Sequence, residues 1–204
     1  AGIDGLWFCR RELRSQIVDP TDSRKPEDPQ RLEKELERLN AVALRDPTQP
    51  FLSAERGTRL LSLGREAEAF AALEGIFASD LSPTELAMIA NELDDKHGLH
   101  DWADRLLEHS LKIRTEHGVN ADLSPVLIGN PALFVRQIAK RAAEAGDDER
   151  LLRSMALARE FATALEMDKF FLPFERKWLL ERGKTTEAKA LDPYEERALR
   201  MGGA

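Results

Sequence analysis

The stretch Leu63-Gly64-Arg65-Glu66-Ala67-Glu68-Ala69 carries a pattern that returns three times in this chain. Each copy has a glycine between two helix-like segments and a small or apolar residue five positions later. The four glycines with their following residues are Gly64 and Ala69, Gly98 and Ala103, Gly146 and Leu151, and Gly183 and Ala188. The first two glycines are 34 residues apart. This recurrence predicts four hairpins, each made of two helices.

Glycine has a physical role in such a hairpin. A tight turn between antiparallel helices needs a residue that tolerates left-handed backbone angles, and glycine does so because it has no Cβ. A small residue one turn into the second helix lets the two helices approach closely. One hairpin cannot cover its own apolar faces, so hairpins stack, and the sequence then repeats at a fixed period. We therefore expect an all-α fold of stacked antiparallel helix hairpins.

Apolar residues follow helical spacing nearly throughout, and no stretch shows sustained alternation of apolar and polar residues. Asp46-Pro47 should end the helix that starts near Gln30, because proline disfavours helical angles in the residue before it. Asn130-Pro131 should start another helix. The predicted helices are 3–18, 30–45, 50–63, 65–79, 83–97, 99–116, 131–145, 147–166, 168–182 and 185–200.

The chain is expected to divide near residue 29. Residues 1–29 combine an N-terminal helix with a linker, because Pro20, Pro26 and Pro29 fall in a stretch with almost nothing to bury. Residues 30–204 then form one helical domain, with hairpins near 50–83, 84–117, 132–165 and 169–204.

The repeat resembles the tetratricopeptide repeat, a helix–turn–helix unit of about 34 residues. The best match is 50–83, where Gly57 falls on the small position of the first helix, Gly64 on the turn and Ala69 on the small position of the second helix. The family's early Trp and middle Tyr are missing from every unit, and residues 118–131 interrupt the array. The resemblance implies a right-handed solenoid of degenerate repeats. A generic helical bundle is the alternative.

Composition excludes several classes of protein. The chain has 204 residues, of which 42% are hydrophobic and 33% charged, and its net charge of -7 argues against a general polyanion binder. A single cysteine, Cys9, permits no intramolecular disulfide and no multi-cysteine metal site. No apolar run approaches the ~20 residues that cross a bilayer. The compartment stays open, with the cytoplasm favoured over the periplasm or secretion.

Catalytic signatures are lacking in the sequence. It contains no GxSxG, no GxxxxGK[ST] and no GxGxxG motif. His100, Asp104 and Glu108 form a row on one helix face, but such rows are usually solvated charge. Asp94 and Asp95 are interpreted as polar residues near a helix end. We therefore predict no catalytic residue, no metal and no cofactor.

The resemblance also implies where a ligand would bind, because the first helix of each such hairpin lines a concave groove that holds peptides. Carried over position by position, the predicted peptide-binding residues are Arg136, Gln137, Lys140, Phe170, Phe174, Lys177 and Glu92. The first two hairpins would add Glu55, Thr58, Glu85 and Asp95. This groove is acidic at one end and basic at the other. Phe171 and Trp178 are predicted to be core.

The predicted function is a non-enzymatic helical-repeat module that binds a protein or peptide as scaffold or adaptor. Its basic end suits a partner with acidic or carboxylate groups. The alternative is a soluble regulatory or periplasmic domain of a membrane-anchored enzyme or assembly. Nucleic acid is not expected as a partner, because residues 130–204 hold 14 basic and 13 acidic residues without a basic stripe.

Overall fold

The computed structural model describes residues 12–14, 16–17, 28–49, 51–116 and 130–191. All regular structure within these ranges is helical, so the predicted all-α class is confirmed. Residues 12–14 and 16–17 are helical as well. The numbered helices are α1 (Pro29–Arg45), α2 (Leu52–Ser62), α3 (Glu66–Glu74), α4 (Pro83–His97), α5 (His100–Glu116), α6 (Pro131–Ala145), α7 (Asp148–Phe161), α8 (Leu172–Glu181) and α9 (Thr185–Lys189).

The four glycines lie between the helices of the predicted hairpins and have positive φ. Their φ angles are 72° at Gly64, 64° at Gly98, 75° at Gly146 and 70° at Gly183. The prediction that these glycines form left-handed turns is therefore confirmed. The hairpins are α2–α3, α4–α5, α6–α7 and α8–α9.

Residues 1–82 form one compact unit. Asp28 caps α1 by accepting a hydrogen bond from the backbone N–H of Gln30, and proline occupies the first turn of that helix. Helix α2 packs against both α1 and α3. At Gly57 the two helices of the hairpin lie so close together that an added Cβ would be 2.5 Å from Cδ2 of Leu73. Leu44, near the end of α1, is 88% exposed.

Residues 83–204 form the second compact unit. Its first two hairpins contact each other through α4 and α6. Asn130 caps α6 through the backbone N–H of Ala132, as predicted, and Asp147 caps α7 through that of Arg150. Phe171 and Trp178 are buried, which confirms their prediction as core.

Three predicted helices differ from the observed elements. The helix expected at 147–166 ends at Phe161, and Thr163 begins a separate turn, Ala164–Glu166, through a capping box with Glu166. A π-helical segment, Met167–Phe171, precedes α8. The helix expected at 65–79 changes at Glu74 to a 3₁₀ turn, Gly75–Ala78. A fourth predicted helix, 185–200, ends at Lys189, residues 190–191 form a turn, and residues 192–200 lie outside the described residues.

The described contacts divide the helical region at Ser82/Pro83, where we predicted one domain from residue 30 onward. The predicted linker before Asp28 lies outside the described residues, as do residues 3–11 of the predicted N-terminal helix.

Gly146 offers a test of the hairpin turns. Replacing it with Ala should lower the free energy of unfolding by about 1 kcal/mol, because the added Cβ meets no atom within 4 Å but the φ of 75° disfavours it. Gly146→Asn should lower the free energy of unfolding by less, since Asn tolerates the left-handed region better than Ala. Urea unfolding followed by circular dichroism measures both. Equal losses for the two variants would contradict the backbone explanation.

Candidate functional site

Three predicted binding residues lie together on α6. Arg136, Gln137 and Lys140 are all exposed, and their spacing of one, three and four residues puts them on one side of the helix. The opposite side of α6 is buried through Val135, Ile138, Ala139 and Ala142. Helix α6 is therefore amphipathic, and this exposed side is free of core packing.

A hydrogen bond joins α6 to the aromatic part of the predicted site. Nε of Arg136 donates to the backbone carbonyl of Phe170 at 3.1 Å. Phe170 lies in the π-helical segment, whose wider i→i+5 bonding often marks functional positions. Two groups of residues that were predicted from separate parts of the sequence are thus neighbours.

Helix α8 carries the rest of the predicted basic end. Phe174 is half-buried, Lys177 is exposed one turn later, and Leu180 is exposed another turn on. Lys177 Nζ lies 3.8 Å from Glu181, and Lys140 Nζ lies 3.5 Å from Glu144, in both cases within one helix. Exposed pairs of this kind contribute little stability, so a partner can displace them.

Most residues predicted at the acidic end of the groove are buried or half-buried. Glu55, Thr58 and Glu85 are buried, with Glu55 at 0% exposure, so they do not line an open groove. Glu92 is half-buried and accepts from Lys96 of its own helix at 3.2 Å. Asp95 is exposed. For Glu55 the reason is physical, because a carboxylate that gains arginine partners, here Arg14 and Arg59, can be buried where a spacing rule expects solvent.

A cluster of polar side chains that the sequence analysis did not predict holds in place the turn just before the π-helical segment. The carboxylate of Glu166 accepts from Nη2 of Arg114 at 2.8 Å and from Nδ2 of Asn130 at 2.5 Å. Asn130 also caps α6, so one carboxylate ties the end of α5 and the start of α6 to the turn that leads to Phe170. Burial alone would raise the pKa of Glu166, but the hydrogen bonds from Arg114, Asn130 and Thr163 hold it below its ordinary value.

The most extensive charge cluster centres on Asp94, near the end of α4. Its side chain is 1% exposed. It accepts from Nε of Arg141 at 2.6 Å, from Nη2 of Arg150, and is bonded to Nδ1 of His100 at 2.8 Å. Arg150 also donates to Asp104 at 3.2 Å. The cluster therefore joins α4, α5, α6 and α7 at one end of the two hairpins.

The pKa values of this cluster follow from its geometry. Burial raises the pKa of Asp94, but hydrogen bonds from His100, Arg141 and Arg150 lower it further than burial raises it, so the net shift is downward. Burial lowers the pKa of Arg150, and Asp104 and Asp94 reverse this, so it ends above its ordinary value. Both groups are thus held in their charged forms.

A cleft of about 300 Å³ adjoins this cluster through Asp104. Leu107, Val135 and Leu157 are apolar lining residues, and Asp101 and Arg153 are among the charged ones. The part of the chain that is described has no group of three or more His, Cys, Asp or Glu side chains arranged to hold a metal ion. Nor does any described helix combine the length and hydropathy that crossing a bilayer needs.

Asp94 and Asp95 form a matched pair for mutation. Asp94→Asn should lower the free energy of unfolding by about 3 kcal/mol or more, because it removes the charge that neutralises buried Arg150. Asp95→Asn should change it by less than about 0.5 kcal/mol, since that side chain is 59% exposed. Chemical denaturation of the two variants measures the difference. Equal effects would show that the cluster does not stabilise the unit.

Acid should weaken the same cluster. Because the folded-state pKa of Asp94 is below the ordinary 3.8, its contribution is complete above 3.8 and is lost as pH falls through the lowered value. The gap in unfolding free energy between the wild type and Asp94→Asn should therefore narrow as pH falls below 3.8. Urea midpoints measured in a pH series test this. A gap that stays constant into strong acid would contradict the assignment.

Comparisons with protein-family models, curated proteins and solved structures give no match to this chain, so its assignment rests on the residues and geometry described above.

Proposed function

We propose that this chain is a non-enzymatic helical-repeat module whose second unit docks an acidic, partly apolar segment of another protein. The observation that supports this is the hydrogen bond from Arg136 to the carbonyl of Phe170. It brings a basic helix face beside half-exposed aromatic residues. We name the set Arg136, Gln137, Lys140, Phe170, Phe174, Lys177 and Leu180 the docking surface.

The bond to Phe170 prepares Arg136 for a carboxylate. With Nε engaged, the guanidinium plane is held in one orientation. In the described part of the chain, no hydrogen bond occupies its two Nη groups. These groups can therefore form two parallel hydrogen bonds with a carboxylate, the geometry in which arginine binds most specifically. Holding the side chain in advance lowers the entropy cost of binding.

Charge and apolar area together favour an acidic, partly apolar partner. Arg136, Lys140 and Lys177 are exposed cations, and the two lysines have only distant partners on their own helices. Phe170, Phe174 and Leu180 add apolar area that an aliphatic or aromatic side chain of the partner can cover. A segment that carries carboxylates beside one such side chain complements both features.

The helix order supports the repeat-like part of the proposal. Successive hairpins α4–α5 and α6–α7 contact each other through their first helices, and α5 also contacts both α6 and α7. In a stacked array the first helices share one face, which is where Arg136, Gln137 and Lys140 on α6 and Phe174 and Lys177 on α8 were predicted. Glu92, on the first helix of the preceding hairpin, would belong to the edge of that face.

Selection of peptides by phage display against the immobilised chain tests this function. We expect enrichment of peptides with two or more Asp or Glu residues next to an aromatic or aliphatic residue. The double variant Arg136→Glu/Lys140→Glu should bind the selected peptides at least about tenfold more weakly, because each lost charge-assisted hydrogen bond is worth roughly 1.5–3 kcal/mol. Fluorescence anisotropy with labelled peptides measures the change.

Arg153→Glu is the control. It reverses an exposed charge on α7 of the same unit and should change affinity by less than about twofold, which is the range of ordinary screening effects. Selection of basic peptides would contradict the proposal. So would equal losses for the docking-surface variant and the control.

A further inference from the structure

We propose that the surface formed by α1 and α2 in the first unit is a binding site for a short amphipathic helix. Its present occupant is the helical segment of residues 12–14 and 16–17, acting as a tethered ligand. Because this inference concerns the first unit, it does not depend on the function proposed for the second.

Two buried side chains and two hydrogen bonds hold the segment in place. Leu13 and Ile17 are 0% exposed and four residues apart, so they share one buried helical face. Nε of Arg14 donates to Oε1 of Glu55 on α2 at 3.0 Å. Nη1 of Arg38 on α1 donates to the carbonyl of Ile17 at 2.7 Å. The segment therefore presents two apolar anchors and one cation to a surface built from two helices.

The receiving surface is organised by its own charges. Arg59 bonds Glu35 on α1 at 2.7 Å and lies 3.1 Å from Glu55. Glu35 also lies 3.3 Å from Arg31. This network holds both carboxylates between α1 and α2, and Arg14 of the segment joins it through Glu55. The surface thus has a fixed acidic position that selects a cation at one place in the ligand helix.

The length of chain between the segment and α1 supports a ligand-like role for the segment. Within each hairpin a short glycine turn joins the two helices, whereas residues 18–28, which include Pro20 and Pro26, separate the segment from α1. Short helical segments are marginal in water, so the burial of Leu13 and Ile17 contributes to the order of this one. A tether of this kind acts by raising the local concentration of the segment, and binding persists in trans when the tether is cut.

The ligand helix has a defined sequence pattern. The ligand needs an apolar residue, a cation directly after it, and a second apolar residue four positions after the first, as in Leu13, Arg14 and Ile17. The position of Gln16 is free to vary, because its side chain is exposed. This is the usual arrangement by which an amphipathic helix binds a groove. A partner helix with the same form would compete with the tethered segment.

The experiment uses the full chain, with a protease recognition sequence replacing residues 21–24, folded first and cut afterwards. We expect the N-terminal piece to stay bound in concentrated solution and to separate on dilution, while circular dichroism of the remainder is retained. A fluorescein-labelled peptide of residues 1–20 should then rebind, as measured by anisotropy. Failure of the piece to separate, or loss of helical signal when it does, would show that it is an inseparable part of the core.

Peptide variants test the recognition without affecting the fold of the protein. Arg14→Glu in the labelled peptide should weaken binding at least about tenfold, because it places a carboxylate beside buried Glu55. Gln16→Glu introduces the same acidic side chain at an exposed position and should stay within about twofold of the unchanged peptide. Equal binding of the Arg14→Glu peptide would overturn the proposal.

Discussion

The second unit depends on one buried carboxylate. Asp94 is almost fully covered, and its charge is compatible with burial only because Arg141 and Arg150 reach it from the next hairpin. A slide of one hairpin against the other by one helical turn, about 5.4 Å, would separate these charges. We infer that the cluster sets the register of α4–α5 against α6–α7. Arg136 and Lys140 project from the same helix as Arg141, so the direction of the docking surface follows from this register.

The first unit uses the same kind of interaction for a different purpose. Glu35 and Glu55 are buried against Arg59, which joins α1 to α2 as the Asp94 cluster joins the hairpins. Here one carboxylate, Glu55, also accepts a hydrogen bond from Arg14 in the N-terminal segment. If the N-terminal segment binds as proposed, Glu55 contributes both to the packing of α1 and α2 and to recognition of the segment.

The sequence predicted the features that depend on neighbouring residues, and it did not predict the ion pairs between residues far apart in the chain. The turn glycines, the cap at Asn130 and most helix bounds follow from backbone preferences within a few residues, and they were predicted. The burial of Asp94 and Glu55 depends on Arg14, Arg141 and Arg150, which lie between 41 and 56 positions from their carboxylate partners, and no periodicity encodes such pairs. One missed feature was readable, because Thr163-Ala164-Leu165-Glu166 has the form of a capping box and predicts a helix start where we expected a continuous helix.

The burial of some arginines decides which positive charges are available to a partner. Arg141 and Arg150 are committed to Asp94, and Arg114 to Glu166, so these cations are neutralised within the fold. Arg136 differs, because its fold contact is a neutral carbonyl, which orients the guanidinium without cancelling its charge. A cation that is positioned but not neutralised keeps most of its electrostatic attraction for an incoming carboxylate. For this reason Arg136, rather than the better-bonded arginines, is the residue on which recognition of an acidic partner should depend.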